Sequence, residues 1–161
     1  MKKIIVKNVA NELNQKFLIR AKNEDILDVN FKIFHQKPNT NSRIEICILA
    51  SDNSKVNVDA TLIIEKSAPN TNAWLEIRVI ARENANVVAS PNLEIRNNSV
   101  KAGHSLTTKY ISDEELFYIM SRGISREKAG KLITESFVKP FLKGEIIEIK
   151  KSKLNSMKSE K

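Results

Sequence analysis

Histidine, cysteine and clustered carboxylates are the side chains that could do chemistry, and this sequence is sparing with the first two. Of its two histidines, His104 has the more suggestive setting, in "VKAGHSLTT" (Val100–Thr108) between an Ala-Gly pair and a Ser-Leu-Thr-Thr run. A neutral imidazole can ligate iron, and its pKa lets it exchange protons near neutrality. The plain alternative is an exposed or hydrogen-bonded histidine at the end of a strand. His35 lacks comparable company and is expected at a loop or strand end. The single cysteine, Cys47, lies between Ile46 and Ile48 and reads as a small buried hydrophobe. One cysteine excludes an internal disulfide framework and any Cys-rich zinc or iron–sulfur site made by one chain, so a metal or cluster would need ligands from elsewhere. The sequence has no Gly-x-x-x-x-Gly-Lys-Ser/Thr phosphate loop, no Ser/His/Asp set, no paired carboxylates at a Gly-rich turn and no metal triad of recognisable spacing. An enzyme is not expected, nor an intrinsic cofactor.

The chain that must position His104 has 161 residues, 41% of them apolar, enough for one folded domain with a real core. No apolar run approaches the roughly 18 residues of a membrane span, and the N-terminal stretch turns polar at Lys7. Neither a span nor a signal peptide is legible, so the expected compartment is the cytoplasm. The net charge of +8 invites a nucleic-acid or anionic-membrane partner. Part of that excess, however, lies in "KKSKLNSMKSEK" from Lys150, where charge without an apolar period reads as a solvated tail. Six Phe, two Tyr and one Trp, with no aromatic–basic alternation, offer no base-stacking platform, which makes a nucleic-acid binder the weaker reading.

A repeat organises the first two thirds. Aligned on Ala21, Ala50 and Ala81, the segments "IRAKNEDILDVNFKI", "ILASDNSKVNVDATLII" and "VIARENANVVASPNLEI" are spaced by 29 and 31 residues. Each reads as an apolar strand, a short Asn/Asp/Glu corner and a second strand with alternating apolar positions. β-rich units at a period of about 30 stack into a solenoid, whereas chance similarity among short strands would leave an antiparallel sandwich. The expected fold is mainly β: a right-handed parallel β-helix or solenoid body over residues 1–111 with a small C-terminal α-helical appendage.

Near Ser112 the period changes from two to 3.6. "SDEE" supplies a capping box in which Ser112 accepts from the Glu115 N–H and Glu115 reaches back, while Asp113 and Glu114 favour the positive helix end. Leu116, Phe117 and Met120 form an apolar face widened by Tyr118 and Ile119, and Gly123 gives a left-handed stop. Ser125 caps a second helix expected to run to about Leu142, with Ala129, Leu132, Ile133, Phe137 and Phe141 inward. Gly130 permits close contact there, and Pro140 should kink or end the helix. Residues 112–149 thus form the helical segment, with a last apolar piece at Ile146-Ile147, and 150–161 the basic tail.

Residues Ser90 to Phe137 resemble the C-terminal part of the SufB/SufD family, the scaffold subunits of the SUF iron–sulfur cluster assembly machinery. The resemblance is carried by "SPNLEI" (Ser90–Ile95), "VKAGHSLTT" and "ISDEELFYIMSRGISREKAGKLI" (Ile111–Ile133), in the family's order and spacing, and it fades before Trp74. Full-length members are much longer, so this looks like a short version. The resemblance implies a parallel β-helix body, C-terminal helices that dock the ABC-type ATPase SufC, and pairing of bodies near the C-terminal strands. On that basis Leu116, Phe117, Tyr118, Met120, Arg122 and Ser125 are the candidate ATPase-docking residues. Leu93, Glu94, Ile95 and Val100 mark a candidate dimer strand, facing a SufB-like subunit or a second copy of this chain.

His104 falls where the family has a histidine implicated in cluster assembly at the subunit interface, which makes it the candidate metal and cluster-interface residue for a transient iron–sulfur cluster. The glutamate that follows it in SufB-like chains is Ser105 here. The cysteine that SufB-like chains place before the P-x-L-E-I segment is absent, with Ala85 near that position, so the chain looks closer to SufD. The resemblance therefore implies a non-enzymatic SufD-like scaffold or adaptor. From the residues alone, a homo-oligomeric interaction module without a cluster role and a basic nucleic-acid binder stay open.

Overall fold

Alternating apolar and polar residues set the architecture. The computed structural model describes residues 2–150, which run as β1 (Lys2–Val9), β2 (Glu12–Ala21), β3 (Ile26–His35), β4 (Asn41–Ala50), β5 (Lys55–Ile64), β6 (Thr71–Ala81), β7 (Asn86–Ile95), β8 (Val100–Tyr110), α1 (Asp113–Met120), α2 (Arg126–Val138) and β9 (Ile146–Ile149). The odd strands form one sheet in the order β1-β3-β5-β7, and the even strands form the other as β8-β6-β4-β2-β9. Every pairing is parallel, so each consecutive pair of strands is one coil of a four-coil solenoid, and the sandwich alternative falls. Ala21, Ala50 and Ala81 stack directly in register, which is why they marked the repeat. Side chains alternate inward and outward along each strand, and equivalent positions stack in columns between coils. The inward columns, such as Phe31–Ala60, Ile46–Ile77 and Ile48–Val79, are fully buried and form the main core.

The corners need residues that accept positive φ. Asn23-Glu24, Asp52-Asn53 and Glu83-Asn84 turn one corner with φ between 51° and 61°, and the coils are tied there by Glu24 N–H to the Asp52 carbonyl (2.9 Å) and Asn53 N–H to the Glu83 carbonyl (3.0 Å). Asn and Asp tolerate the left-handed region, whereas Glu24 and Glu83 are held in it by stacking, at a cost on the order of 1 kcal/mol each. At the opposite corner Asn39 and Asn70, both at φ 59°, sit in the tetrapeptide Pro-Asn-Thr-Asn, which occurs at 38–41 and again at 69–72.

A polar cluster interrupts the core at that second corner. His35 ends β3 and is fully buried, with Nδ1 2.8 Å from Thr40 Oγ1 and Nε2 2.8 Å from Ser42 Oγ. Thr71 donates to the Ala68 carbonyl (2.9 Å), and the Thr40 hydroxyl lies 3.0 Å from Thr71 Oγ1 and 3.2 Å from the Lys37 carbonyl. The Thr40 proton is thereby directed away from the ring, so Nδ1–H donates to Thr40 and Nε2 accepts from Ser42. Burial pushes the imidazole down to about 4, which keeps it neutral at pH 7.

The helices cover the outer face of the even sheet. Leu18, Cys47, Leu49 and Ile80 point outward from β2, β4 and β6 and pack with Ile111, Leu116, Ala129, Val138 and Phe141 in a second core. Cys47 is fully buried in it, as expected of a small hydrophobe, and burial pushes its thiol up to about 12. α2 ends at Val138 rather than reaching Leu142: Lys139 is still helical, with its N–H bonded to the Glu135 carbonyl, but Pro140 has no N–H to continue the ladder. Phe141 is buried as expected, but Leu132 is 42% exposed and leaves the inner set. The chain then returns along β2, pairing Ile146 with Lys16 and Ile149 with Ile19, so residues 112–149 extend the even sheet as well as covering it. Beyond Lys150 the expected tail lies outside the described residues. No helix among the described residues is long and apolar enough to cross a membrane.

Candidate functional site

β7 and β8 are the last strands of their sheets and leave hydrogen-bonding edges open at one end of the solenoid. Register places His104 in the inward column Gln15–Ile44–Leu75–His104. Ile44 and Leu75 are fully buried in this column, but the last coil has no further strand above it, so the imidazole is exposed. The same geometry exposes its neighbours: Leu106 stacks on Ile77, Tyr110 on Ala81 and Ile95 on Ile64, and each is about half exposed. The open end is therefore an apolar face with one imidazole set into it.

The segment Leu93–Val100, expected as one dimer strand, turns a corner instead: Leu93–Ile95 end β7, residues 96–99 form the turn and Val100 opens β8. Leu93 and Val100 face inward and pack against the core, whereas Glu94 points outward and pairs with Arg96, which also holds Glu65 at 2.8 Å. Leu93–Ile95 and Val100 therefore lie on the two open edges, β7 and β8, rather than on one continuous strand.

Among the described residues no three His, Cys, Asp or Glu side chains converge to hold a metal ion. Cys47 lies on the opposite side of the even sheet from the inward column of His104, protonated beneath the helices. Ser105 shares the outward column of Glu45 and Glu76, and Ala85 is buried at a corner. One chain thus offers an iron–sulfur cargo a single imidazole and no accessible thiolate, which does not fit cluster binding by this chain alone.

The helical candidates divide by burial. The capping box is present, with Glu115 N–H donating to Ser112 Oγ and Ser112 N–H to Glu115 Oε2, both at 3.2 Å. Glu115 also receives Lys109 Nζ at 2.6 Å, which ties α1 to β8 and lowers the Glu115 carboxyl below its ordinary range. Leu116 is buried in the second core, so it is an anchor and leaves the docking set. Met120 is half-buried against the same core. Phe117 and Tyr118 are 73% and 63% exposed, and Arg122 donates to Tyr118 Oη (2.9 Å) with its guanidinium 5.2 Å from the ring centre. Gly123 supplies the left-handed stop at φ 80°, and Ser125 caps α2 by accepting from Lys128 N–H (3.4 Å). His104 and the Phe117 face do not form one site, since the first faces the open end and the second lies on the outer surface.

Sequence reasoning missed Ile95 as an exposed end residue and missed Leu106 and Tyr110 altogether. The period-two alternation from Val100 through His104 to Tyr110 would have found the latter two. It also missed Trp74, whose ring fills the space that a Cβ on Gly103 would take, a cross-coil pairing legible only once the register is known. A cleft of about 1000 Å³ lies elsewhere, between the stacked corner and α2. Four of the five cations that line it are paired with carboxylates, Arg20 and Lys150 with Glu148, Arg82 with Glu83 and Lys131 with Glu127, which leaves little unbalanced charge for a ligand.

Known proteins resemble this sequence across most of its length. The family model described as SUF system FeS cluster assembly, SufBD core domain, matches residues 3–137, from β1 almost to the end of α2. An iron-sulfur cluster assembly SufBD family protein of Staphylococcus saprophyticus is 30% identical over 119 residues, covering 73% of this chain and 26% of that protein. The iron-sulfur cluster assembly protein SufB of Bacillus subtilis is 31% identical over 117 residues, covering 72% of this chain and 25% of its own length. The chain thus spans about a quarter of the length of the curated relatives it matches. Together with the four-coil parallel solenoid and its two C-terminal helices, the match over residues 3–137 establishes that the chain belongs to the SufBD family of the SUF iron–sulfur cluster assembly system.

Proposed function

We propose that the protein is a non-enzymatic, cytoplasmic SufD-like scaffold that pairs through the open end of its solenoid and docks a SufC-type ABC ATPase on the exposed face of α1. The observation that carries the docking is the aromatic pair: Phe117 and Tyr118 stand mostly in water on a helix whose other side is fixed by Leu116. Large aromatics beside an arginine are the residue types that dominate interface energies, and leaving them exposed forfeits on the order of 1–2 kcal/mol apiece. Ser105 and Ala85, standing where SufB-like chains resemble one another in an acid and a thiol, support the SufD-like assignment.

Pairing uses the β8 edge, which has unpaired backbone groups beside Leu106 and Tyr110. In a two-fold pair each copy brings one His104 towards the axis; with a SufB-like partner the remaining ligands for a cluster in transit come from that partner. Co-purification with the SUF ABC ATPase tests the docking. Wild-type protein should be retained, and Phe117→Asp should lose at least about tenfold in affinity, a typical hot-spot loss, with unchanged thermal stability. Equal binding by the two, or binding by neither, refutes the docking.

A further inference from the structure

The two ends of the solenoid are chemically different, and the difference bears on which assemblies are allowed. At the end formed by β7 and β8 the inward positions carry no carboxylate, lysine or arginine: Val87, Ala89 and Leu93 on one strand, and Ala102, His104 and Leu106 on the other. At the opposite end, register places Lys3 and Lys7 of β1 in inward columns whose next members are Val29 and Ile33, both fully buried. The following members, Val58 and Leu62, are fully buried as well. Lysine thus stands where later coils have Val, Ala, Ile or Leu. Both lysines are half-buried, which fits stems laid along the core with ammonium groups kept in water. Gln15, inward on β2, adds a third polar group, and its buried Oε1 has no hydrogen-bond partner among the described residues. β9 covers the same end of the even sheet, pairing with Lys16–Ile19 of β2.

Unpaired parallel edges invite head-to-tail stacking, in which the β7–β8 coil of one copy seats on the β1–β2 coil of the next and the contact repeats without closing. Seating a coil on β1 would bury two ammonium groups with no matching carboxylate, because the inward residues of β7 and β8 include no Asp or Glu. The desolvation penalty would exceed what the apolar contacts return. β9 would also have to leave the β2 edge. We propose that Lys3 and Lys7, helped by β9, act as gatekeepers that bar end-to-end stacking of this chain on itself and confine self-association to the β7–β8 end. The inference deepens the pairing part of the proposed function, but its test does not depend on that pairing.

The experiment compares full-length wild type with Lys3→Val/Lys7→Ile, which installs the residue types of the next coil, and with Lys3→Glu/Lys7→Glu. Sedimentation velocity over a range of concentrations reads the mass, and circular dichroism checks the fold. Wild type and the Glu variant should keep one size, monomer or dimer, at every concentration. The Val/Ile variant should exceed that size by at least about twofold and grow with concentration, as a non-closing contact requires. A folded Val/Ile variant that stays at wild-type size overturns the proposal, as does stacking of the Glu variant, since the barrier would then not be charge. A monomeric wild type would refute the pairing while leaving the gatekeeper comparison intact.

Discussion

Acidification should weaken this protein through His35 before its carboxylates are protonated. The ring is enclosed at the end of β3 with Thr40 and Ser42 on its two nitrogens, and burial lowers its pKa from 6.5 to about 4. Above pH 6.5 the imidazole is neutral in both folded and unfolded chains and has no effect on stability. As the pH falls below 6.5 the unfolded chain takes up the proton and the folded one does not, so stability drops until about pH 4, where both are charged. Linkage over that window gives a loss of about 2 kcal/mol between pH 7.5 and pH 5, and about 3 kcal/mol by pH 4. Urea denaturation at a series of pH values measures it directly, with His35→Gln as the reference. Glutamine can bond to the same hydroxyls without titrating, and the carboxylates that titrate below pH 5 are common to both proteins. The wild-type curve should fall more steeply than the variant's between pH 6.5 and pH 5. Parallel curves there would refute the burial argument.

The packing makes four further predictions. Leu116→Ala should cost about 2–4 kcal/mol in urea denaturation because it opens a cavity beneath α1, whereas Phe117→Ala should stay within about 0.5 kcal/mol; similar losses would refute the burial difference between them. Cys47 should resist an aromatic disulfide reagent at pH 8 in the native protein and react fully once unfolded, since it is enclosed and its thiol lies near 12; rapid native labelling would contradict the helix packing. Gly103→Ala should displace the ring of Trp74, the only tryptophan, shifting its fluorescence to the red and costing about 1 kcal/mol. Gly130→Ala meets the end of the flexible Arg82 side chain at 2.8 Å and Leu116 Cδ2 at an ordinary 3.8 Å, and should be neutral or gain up to about 1 kcal/mol of helix propensity.

What the sequence disclosed was set by local physics. Alternation along single strands and the stacked Ala21, Ala50 and Ala81 made the solenoid legible, since a coil repeats its own pattern at each turn. Ser112, Glu115 and Gly123 gave the limits of α1 because caps are contacts within a few residues. The direction of that helix was not legible. Leu116, Phe117 and Tyr118 are equally apolar neighbours, and only packing on Ile80 and Leu49, residues of distant coils, decides which of them is buried. The outward row of Leu18, Cys47 and Leu49 looked like ordinary strand interior for the same reason: a strand covered on both faces loses its alternation. His35 was legible as a strand-end residue, but its burial was not: nothing in the local pattern shows that Thr40 and Ser42 fold back onto its two nitrogens, and Thr71, which bonds Thr40, lies 31 residues away in the next coil.

The link between the two proposed surfaces is short and stiff. Only Ile111 and Ser112 separate β8 from α1; Ile111 is buried and its N–H is bonded to the Ala81 carbonyl at 3.0 Å, while Lys109 and Glu115 bridge strand and helix at 2.6 Å. If the ATPase holds the Phe117 face, a load applied there reaches β8 without slack. β8 is hydrogen-bonded to β6 along its whole length, from Val100 opposite Thr71 to Tyr110 opposite Ala81, so peeling it would require many backbone bonds to fail together. Rotating the body as one piece breaks none of them. Motion driven at α1 would therefore be taken up where no continuous ladder or covalent link resists it, at the proposed contact between the open end, where His104 lies, and a partner.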